Sequence, residues 1–218
     1  MRRGVFVTGT DTGAGKTFAA CVLIHALAAR GIAVVPMKPV AAGSDEDTLA
    51  LMRAAAIDAS RKGEVTPVLL REPIAPHIAA AREGRRIDVA SLERALAALA
   101  AGADFIVVEG IGGFAVPLGP SLDTIDLARA FGLPVVLVVG MRLGCLNHAL
   151  LTQHAIAESG LAFAGWIANT IDPGMDVADE NVAALRERLR APLLGRLPYR
   201  PGVDPAALAA ELDLAPLL

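Results

Sequence analysis

Two short runs, Phe105–Val108 and Val135–Val139, are apolar at every position, so neither alternating face carries a polar side chain. A strand with one wet face alternates; unbroken apolar runs belong to strands covered on both faces, as in a parallel sheet between helices. Similar β-rich runs predict strands at Gly4–Thr8, Ala33–Met37, Phe105–Glu109, Val135–Val139, Phe163–Ala168 and Leu193–Leu197. Alanine- and leucine-rich segments between them predict helices over Lys16–Ala29, Asp45–Ala55, Val89–Ala101, Thr124–Phe131, Asn147–Glu158 and Asp179–Leu189. Gly31, Gly102, Gly132 and Gly160 stand where helices stop, the position that favours a left-handed residue. The alternation is that of βαβ units. It predicts an α/β three-layer sandwich, with a mostly parallel central sheet flanked by helices and all 218 residues in a single domain. Ser60–Arg86, with Pro67, Pro73, Pro76 and mixed charge, reads as an irregular excursion over one sheet edge.

The stretch Gly9-Thr-Asp-Thr-Gly-Ala-Gly-Lys-Thr17 falls between the first predicted strand and the first predicted helix. Gly13 and Gly15 free the backbone to turn its N–H groups inward, and the helix N-terminus adds partial positive charge, which together make an anion cradle. In such a loop Lys16 reaches the β- and γ-phosphates and the Thr17 hydroxyl meets Mg²⁺. The spacing is unusual. The common G-x-x-x-x-G-K-[ST] pattern puts its first glycine at position 10, where this chain has Thr10, and Gly9 comes one residue earlier.

Four further features bear on the same chemistry. Glu109 ends an apolar strand, and a carboxylate at the C-terminal edge of a parallel strand faces the ligand crevice; in phosphate-loop proteins such an acid holds the metal. The alternative is an ordinary exposed strand-end carboxylate, which Gly112 and Gly113 argue against because glycines there let a ligand approach the backbone. Lys38 precedes Pro39, which biases it toward extended backbone and projects it from the strand end. Its ammonium suits a phosphoryl group or a carboxyl-like anion; alone it reads more readily as a solvated surface charge, and its alignment beside Lys16 and Glu109 is what favours the site. Asp45, Glu46 and Asp47 open the second helix, either as macrodipole partners or as a second acidic metal contact. Leu143-Gly-Cys-Leu-Asn147 opens another helix and offers backbone N–H groups to an anion. Cys145 and His148 lack two further ligands at zinc spacing, and His25 and His154 read as helix-side residues.

In order along the chain, Phe6-Val-Thr-Gly-Thr-Asp-Thr12, Gly15-Lys-Thr17, Lys38-Pro-Val40, Pro76-His-Ile78, Val108-Glu-Gly-Ile-Gly-Gly113, Leu143-Gly-Cys-Leu-Asn-His148 and Ala164-Gly-Trp-Ile-Ala-Asn169 resemble the dethiobiotin synthetase family. The resemblance spans nearly the whole chain and includes the five-residue gap between Gly9 and Gly15. It implies a P-loop NTPase-like fold and an ATP- and Mg²⁺-dependent ligase of biotin biosynthesis. That enzyme joins 7,8-diaminononanoate with CO2, through a carbamate and a carbamic-phosphoric anhydride, to give dethiobiotin, ADP and phosphate. It implies that Thr12, Lys16 and Lys38 are catalytic, and that Thr17, Asp47 and Glu109 hold Mg²⁺. It implies ATP contacts from Gly13, Ala14, Gly15, Lys16, Thr17, Phe18, Asp47, Glu109, Gly112, Asn169, Thr170, Pro198 and Tyr199, with Asn169 reading adenine. Thr12, Lys38, Ala42, Leu143, Gly144, Cys145 and Asn147 are implied for the substrate, the last four across a homodimer interface. Ala42 stands where the family often has a hydroxyl residue, and the short Gly43–Asp47 loop leaves Asp45 as an alternative to Asp47.

Composition limits the rivals. Twenty basic and 23 acidic residues give a net charge of -3, with no excess to draw the chain to nucleic acid or anionic lipid. Two cysteines do not make a secreted disulfide framework. The apolar run after Met-Arg-Arg stops after three residues, short of a signal-peptide core, and no stretch reaches the roughly 18 apolar residues of a membrane span. A cytoplasmic enzyme with small-molecule partners is the expectation. Partitioning and regulatory ATPases of the deviant phosphate-loop type carry a lysine five positions before the loop lysine, where this chain has Asp11.

Overall fold

The computed structural model describes residues 3–218. Its elements run β1 (Gly4–Gly9), α1 (Lys16–Ala28), β2 (Val34–Met37), β3 (Val40–Ala42) and α2 (Glu46–Ala54). They continue with α3 (Lys62–Val65), β4 (Val68–Leu70), α4 (Pro76–Arg82), α5 (Val89–Ala100) and β5 (Phe105–Glu109). After these come β6 (Pro117–Gly119), β7 (Leu122–Asp123), α6 (Thr124–Phe131) and β8 (Val135–Met141). The chain closes with α7 (Cys145–Ser159), β9 (Phe163–Thr170), α8 (Ala178–Arg188) and β10 (Leu193–Leu197), then a 3-10 segment at Pro205–Glu211.

Six strands form one parallel sheet in the order β10-β9-β8-β1-β5-β2. Successive side chains of a strand point to opposite faces, and here both faces are dry. Val5, Val7, Phe105, Val107, Val136 and Val138 pack with Leu23 and Leu27 of α1 and with Leu208, Leu212 and Leu214 near the C-terminus. Phe6, Ile106, Val108, Val135, Leu137, Val139 and the fully buried Trp166 pack on the other side with Leu92, Leu127, Ile156 and Leu185 from α5 to α8. This explains the unbroken apolar runs: every position contributes to one layer or the other, each large side chain adding about 1.5–3 kcal/mol of burial.

All six expected strands are present, with small shifts at their ends. Two expectations need correction. Ser60–Arg86 is not an irregular excursion: it contains α3, β4 and α4, and β4 pairs in parallel with β3 in a small second sheet. Neither three-residue strand is long enough to show a period in sequence, and each exists because the other pairs with it. The helix expected from Asn147 begins instead at Cys145, because Gly144 adopts a left-handed backbone (φ 93°) that turns the chain directly into it.

β1 lies between β5 and β8, and parallel strands bring all their C-terminal ends to one edge. That edge gathers Gly9 at the end of β1, Glu109 at the end of β5, Lys38 just beyond β2, Gly140 near the end of β8 and Asn169 near the end of β9. Such an edge, at a reversal of strand order, is where open α/β sheets bind ligands.

Candidate active site

The loop between β1 and α1 is held on three sides. Thr10, standing where the common motif has glycine, donates its N–H to the Val138 carbonyl (3.0 Å) and accepts the Gly140 N–H on its hydroxyl (3.3 Å), pinning the loop to β8. The Asp11 carboxylate accepts the Thr12 N–H at 2.7 Å. Asn169 Nδ2 donates to the Ala14 carbonyl at 2.9 Å. Gly15 is required on two counts: its φ is +84°, and a Cβ there would lie 2.0 Å from Asn169 Nδ2. Lys16 is buried and its Nζ donates to the Asp11 carbonyl (3.2 Å). Burial holds its ammonium below the usual lysine range, with Lys38 adding to the effect and Glu109 opposing it.

Beside the loop lies a compact charged cluster. Lys38 Nζ donates to Glu109 Oε1 (2.6 Å), Asp47 Oδ2 (2.8 Å) and the Gly110 carbonyl (3.1 Å), so all three of its hydrogens are engaged. The Thr17 hydroxyl donates to the same Glu109 Oε1 at 2.8 Å. Burial alone would pull Lys38 down, but Glu109 and Asp47 outweigh it and hold the ammonium above its ordinary range. Burial likewise pushes the Asp47 carboxyl up, and the charge and hydrogen bond of Lys38 more than reverse that, leaving it low. Glu109 Oε2 is buried with no hydrogen-bond partner among the described residues. A buried carboxylate oxygen left unpaired is costly, so this one marks a place for a further donor or a cation.

These groups line a cavity of about 740 Å³ bounded by Thr12, Gly13, Gly15, Lys16, Thr17, Lys38, Asp47, Glu109 and Gly112. Its remaining wall is mostly apolar, with Ala41, Ala42, Pro73, Ile74, Ala75, Pro76, Ile111 and Val116, and one further hydroxyl residue, Ser44. A second hollow of about 320 Å³ opens among Phe18, Asn169, Thr170, Pro198, Tyr199 and Arg200. Gly15 borders the first and its neighbour Asn169 the second, so the hollows flank the start of α1.

Of the two acidic alternatives, Asp47 lines the large cavity, whereas Asp45 pairs with Lys62 (2.7 Å) and does not line it. Leu143, Gly144, Cys145 and Asn147 line neither hollow. Cys145 is buried and its N–H closes a turn on the Arg142 carbonyl (3.0 Å), while Leu143 is 93% exposed. Sequence reasoning missed Ser44, Ile111, Val116 and the Pro73–Pro76 wall; of these, Pro76 and Ile111 carried a signal, in the Pro76-His-Ile78 and Val108-Glu-Gly-Ile-Gly-Gly113 pieces. It also missed Arg142, whose guanidinium meets Asp11 Oδ2 at 2.7 Å from 131 residues away.

A parallel sheet with a glycine-rich loop feeding a helix, a loop lysine and a strand-end carboxylate defines a phosphate-loop nucleotide-binding protein, and the AAA domain family model matches residues 3–207. The fold is shared with the septum site-determining protein MinD of Pyrococcus horikoshii, solved with Mg-ADP (TM-score 0.62, 18% identity, 97% of this chain and 87% of that one). It is also shared with a ParA family ATPase of Chlorobium tepidum (TM-score 0.58, 16% identity, 92% and 86%). Sequence narrows the class. The chain is 54% identical to the ATP-dependent dethiobiotin synthetase of Aromatoleum aromaticum over 97% of each chain. It is 51% identical to that of Nitrosospira multiformis over 99% of this chain and 96% of the other. The chain therefore belongs to the ATP-dependent dethiobiotin synthetase family.

Proposed function

We propose that the chain catalyses ATP-dependent closure of 7,8-diaminononanoate with CO2 to dethiobiotin, with ADP and phosphate as the other products. The observation that carries this reading is the second buried lysine: Lys38 shares the cavity with Lys16 and is anchored on Glu109 and Asp47. A nucleotide-binding module without this chemistry needs only the loop lysine, whereas joining a carbamate to a γ-phosphoryl group brings two anions together and demands further positive charge.

In this reading the triphosphate lies along Gly13–Thr17, with Lys16 leaving the Asp11 carbonyl for the β- and γ-phosphates. The base enters the hollow of Phe18, Asn169, Thr170, Pro198 and Tyr199, where Asn169 keeps its Oδ1 for a base N–H while Nδ2 holds the loop. One amine of the substrate takes up CO2, and the resulting carbamate oxygen attacks the γ-phosphorus as ADP leaves. Lys38 gives up one of its three acceptors to meet that anion, and Thr12 holds the carbamate beside it. The second amine then attacks the carbamoyl carbon, expelling phosphate and closing the ring. The wall of Ala41, Ala42, Ile74, Ile111 and Val116 packs the alkyl chain and keeps water from the mixed anhydride.

The donor set also fits Mg²⁺: two carboxylates and a hydroxyl, all hard oxygen ligands, with Glu109 Oε2 lacking a donor among the described residues. Thr17, Asp47 and Glu109 would hold the ion, whose bound form neutralises charge on the phosphates. Gly112, with φ +63°, lets its backbone approach Val116 and Thr12 on the cavity wall. We further propose a cytoplasmic homodimer in which the Leu143–Asn147 segment holds the substrate carboxylate of a second copy. Leu143 and Leu151, 93% and 60% exposed at the head and on the second turn of α7, supply apolar surface for such a contact.

Incubation with diaminononanoate, bicarbonate and Mg-ATP is expected to yield a product heavier than the diamine by one carbonyl bridge, with one phosphate per product. Its absence under conditions where ATP binds would overturn the assignment. Lys38→Ala is expected to abolish turnover while sparing ATP affinity; equal loss of both in a folded variant moves Lys38 to nucleotide binding.

A further inference from the structure

Asp11 is engaged through its carbonyl and both carboxylate oxygens. Its carbonyl accepts Lys16 Nζ (3.2 Å), its Oδ1 accepts the Thr12 N–H (2.7 Å), and its Oδ2 meets Arg142 (2.7 Å). Arg142 follows directly on β8, and its own carbonyl accepts the Cys145 N–H (3.0 Å) that turns the chain into α7. One residue therefore ties the start of α7 to the phosphate loop.

The charge balance makes this tie more than a brace. A carboxylate one residue from Thr12 stands beside a cavity that must accept a polyphosphate and a second anion, and an unpaired anion there repels both. Arg142 both neutralises Asp11 and occupies its Oδ2, which leaves Oδ1 for the Thr12 amide. No other cation pairs with Asp11 through an ion pair among the described residues. We propose that Arg142 is a positioning residue for the phosphoryl-transfer reaction: by holding Asp11 it keeps negative charge off the nucleotide and fixes Thr12 and the resting place of Lys16. This rests on the reading of the large cavity as the site of phosphoryl transfer.

The two effects separate experimentally, because Asp11→Asn keeps an oxygen for the Thr12 N–H and removes the charge. Arg142→Met is expected to raise the Kd of Mg-ADP, measured by calorimetry without turnover, about two- to fivefold, the scale of a half-exposed charge pair. It is also expected to lower kcat in the diaminononanoate assay. Arg142→Lys should restore both. The double variant Asp11→Asn with Arg142→Met should return the Kd to near the wild-type value. Unchanged Kd and kcat in Arg142→Met would overturn the proposal. So would a double variant that binds Mg-ADP no better than Arg142→Met, since the residue would then act only as a brace between loop and helix. A wild-type protein that binds Mg-ADP but forms no product would instead defeat the catalytic reading, leaving the effect on Kd still measurable.

Discussion

Replacing Lys38 by methionine tests the charged cluster most directly. The substitution keeps an unbranched chain of similar volume and removes three hydrogen bonds, to Glu109, Asp47 and the Gly110 carbonyl. The losses are unequal. The Glu109 side chain is 0% exposed and keeps only the Thr17 hydroxyl, so it becomes a buried charge without its counterion; breaking such a pair costs about 3–5 kcal/mol. Asp47 is 48% exposed, so water replaces Lys38 there and the loss is closer to the 0–1 kcal/mol or so of a surface pair. For a chain of this size 1 kcal/mol corresponds to about 2–4 °C, so Tm should fall by about 6–20 °C in EDTA. The same carboxylates, freed of competition from the ammonium, should bind Mg²⁺ more tightly, so added Mg²⁺ should raise Tm more in the variant than in wild type. Thermal melts by circular dichroism with EDTA or Mg²⁺ read both quantities, and product mass should show no turnover. A Tm within about 2 °C of wild type would refute the buried-charge reasoning. An equal Mg²⁺ shift in both proteins would refute the assignment of these carboxylates to the metal.

Lys16 behaves in the opposite sense. Burial lowers its affinity for a proton in the folded state, so below that lowered value the charged form opposes folding, a penalty that fades as pH rises toward the ordinary lysine range. Lys16→Met should therefore raise Tm without nucleotide while losing Mg-ADP binding by calorimetry. Asp47, held low mainly against burial by Lys38, contributes stability above the ordinary carboxylate pKa that is lost as pH falls through its lower folded value. Asp47→Asn should flatten the decline of Tm with acidification below about pH 4. Gly15→Ala would set a Cβ 2.0 Å from Asn169 Nδ2 at φ +84°; loss of the Asn169 bond and the backbone strain should cost about 2–3 kcal/mol and weaken Mg-ADP binding at least tenfold.

Much of this protein is local enough to be written in its sequence. The apolar runs on β5 and β8, the alanine-rich helices and their glycine stops depend on short-range periodicity, which survives without knowledge of the fold. The phosphate loop is legible for the same reason, since Gly13, Gly15, Lys16 and Thr17 are neighbours whose backbone demands are intrinsic. β3 and β4 were not legible, because each is three residues long and held only by its partner.

The chemistry of the cluster depends on strand order. Lys38 meets Glu109 across 71 residues, Thr17 meets Glu109 across 92, Arg142 meets Asp11 across 131 and Asn169 meets Ala14 across 155. No periodicity encodes these separations. They close because β2, β5, β1, β8 and β9 lie side by side with their C-terminal ends on one edge. The same geometry turns Asp47 into the cavity and leaves Asp45 to Lys62, a choice two equivalent helix-start carboxylates could not make from sequence. Residue types and local backbone determined which side chains were available, and the packing of the sheet determined which of them meet.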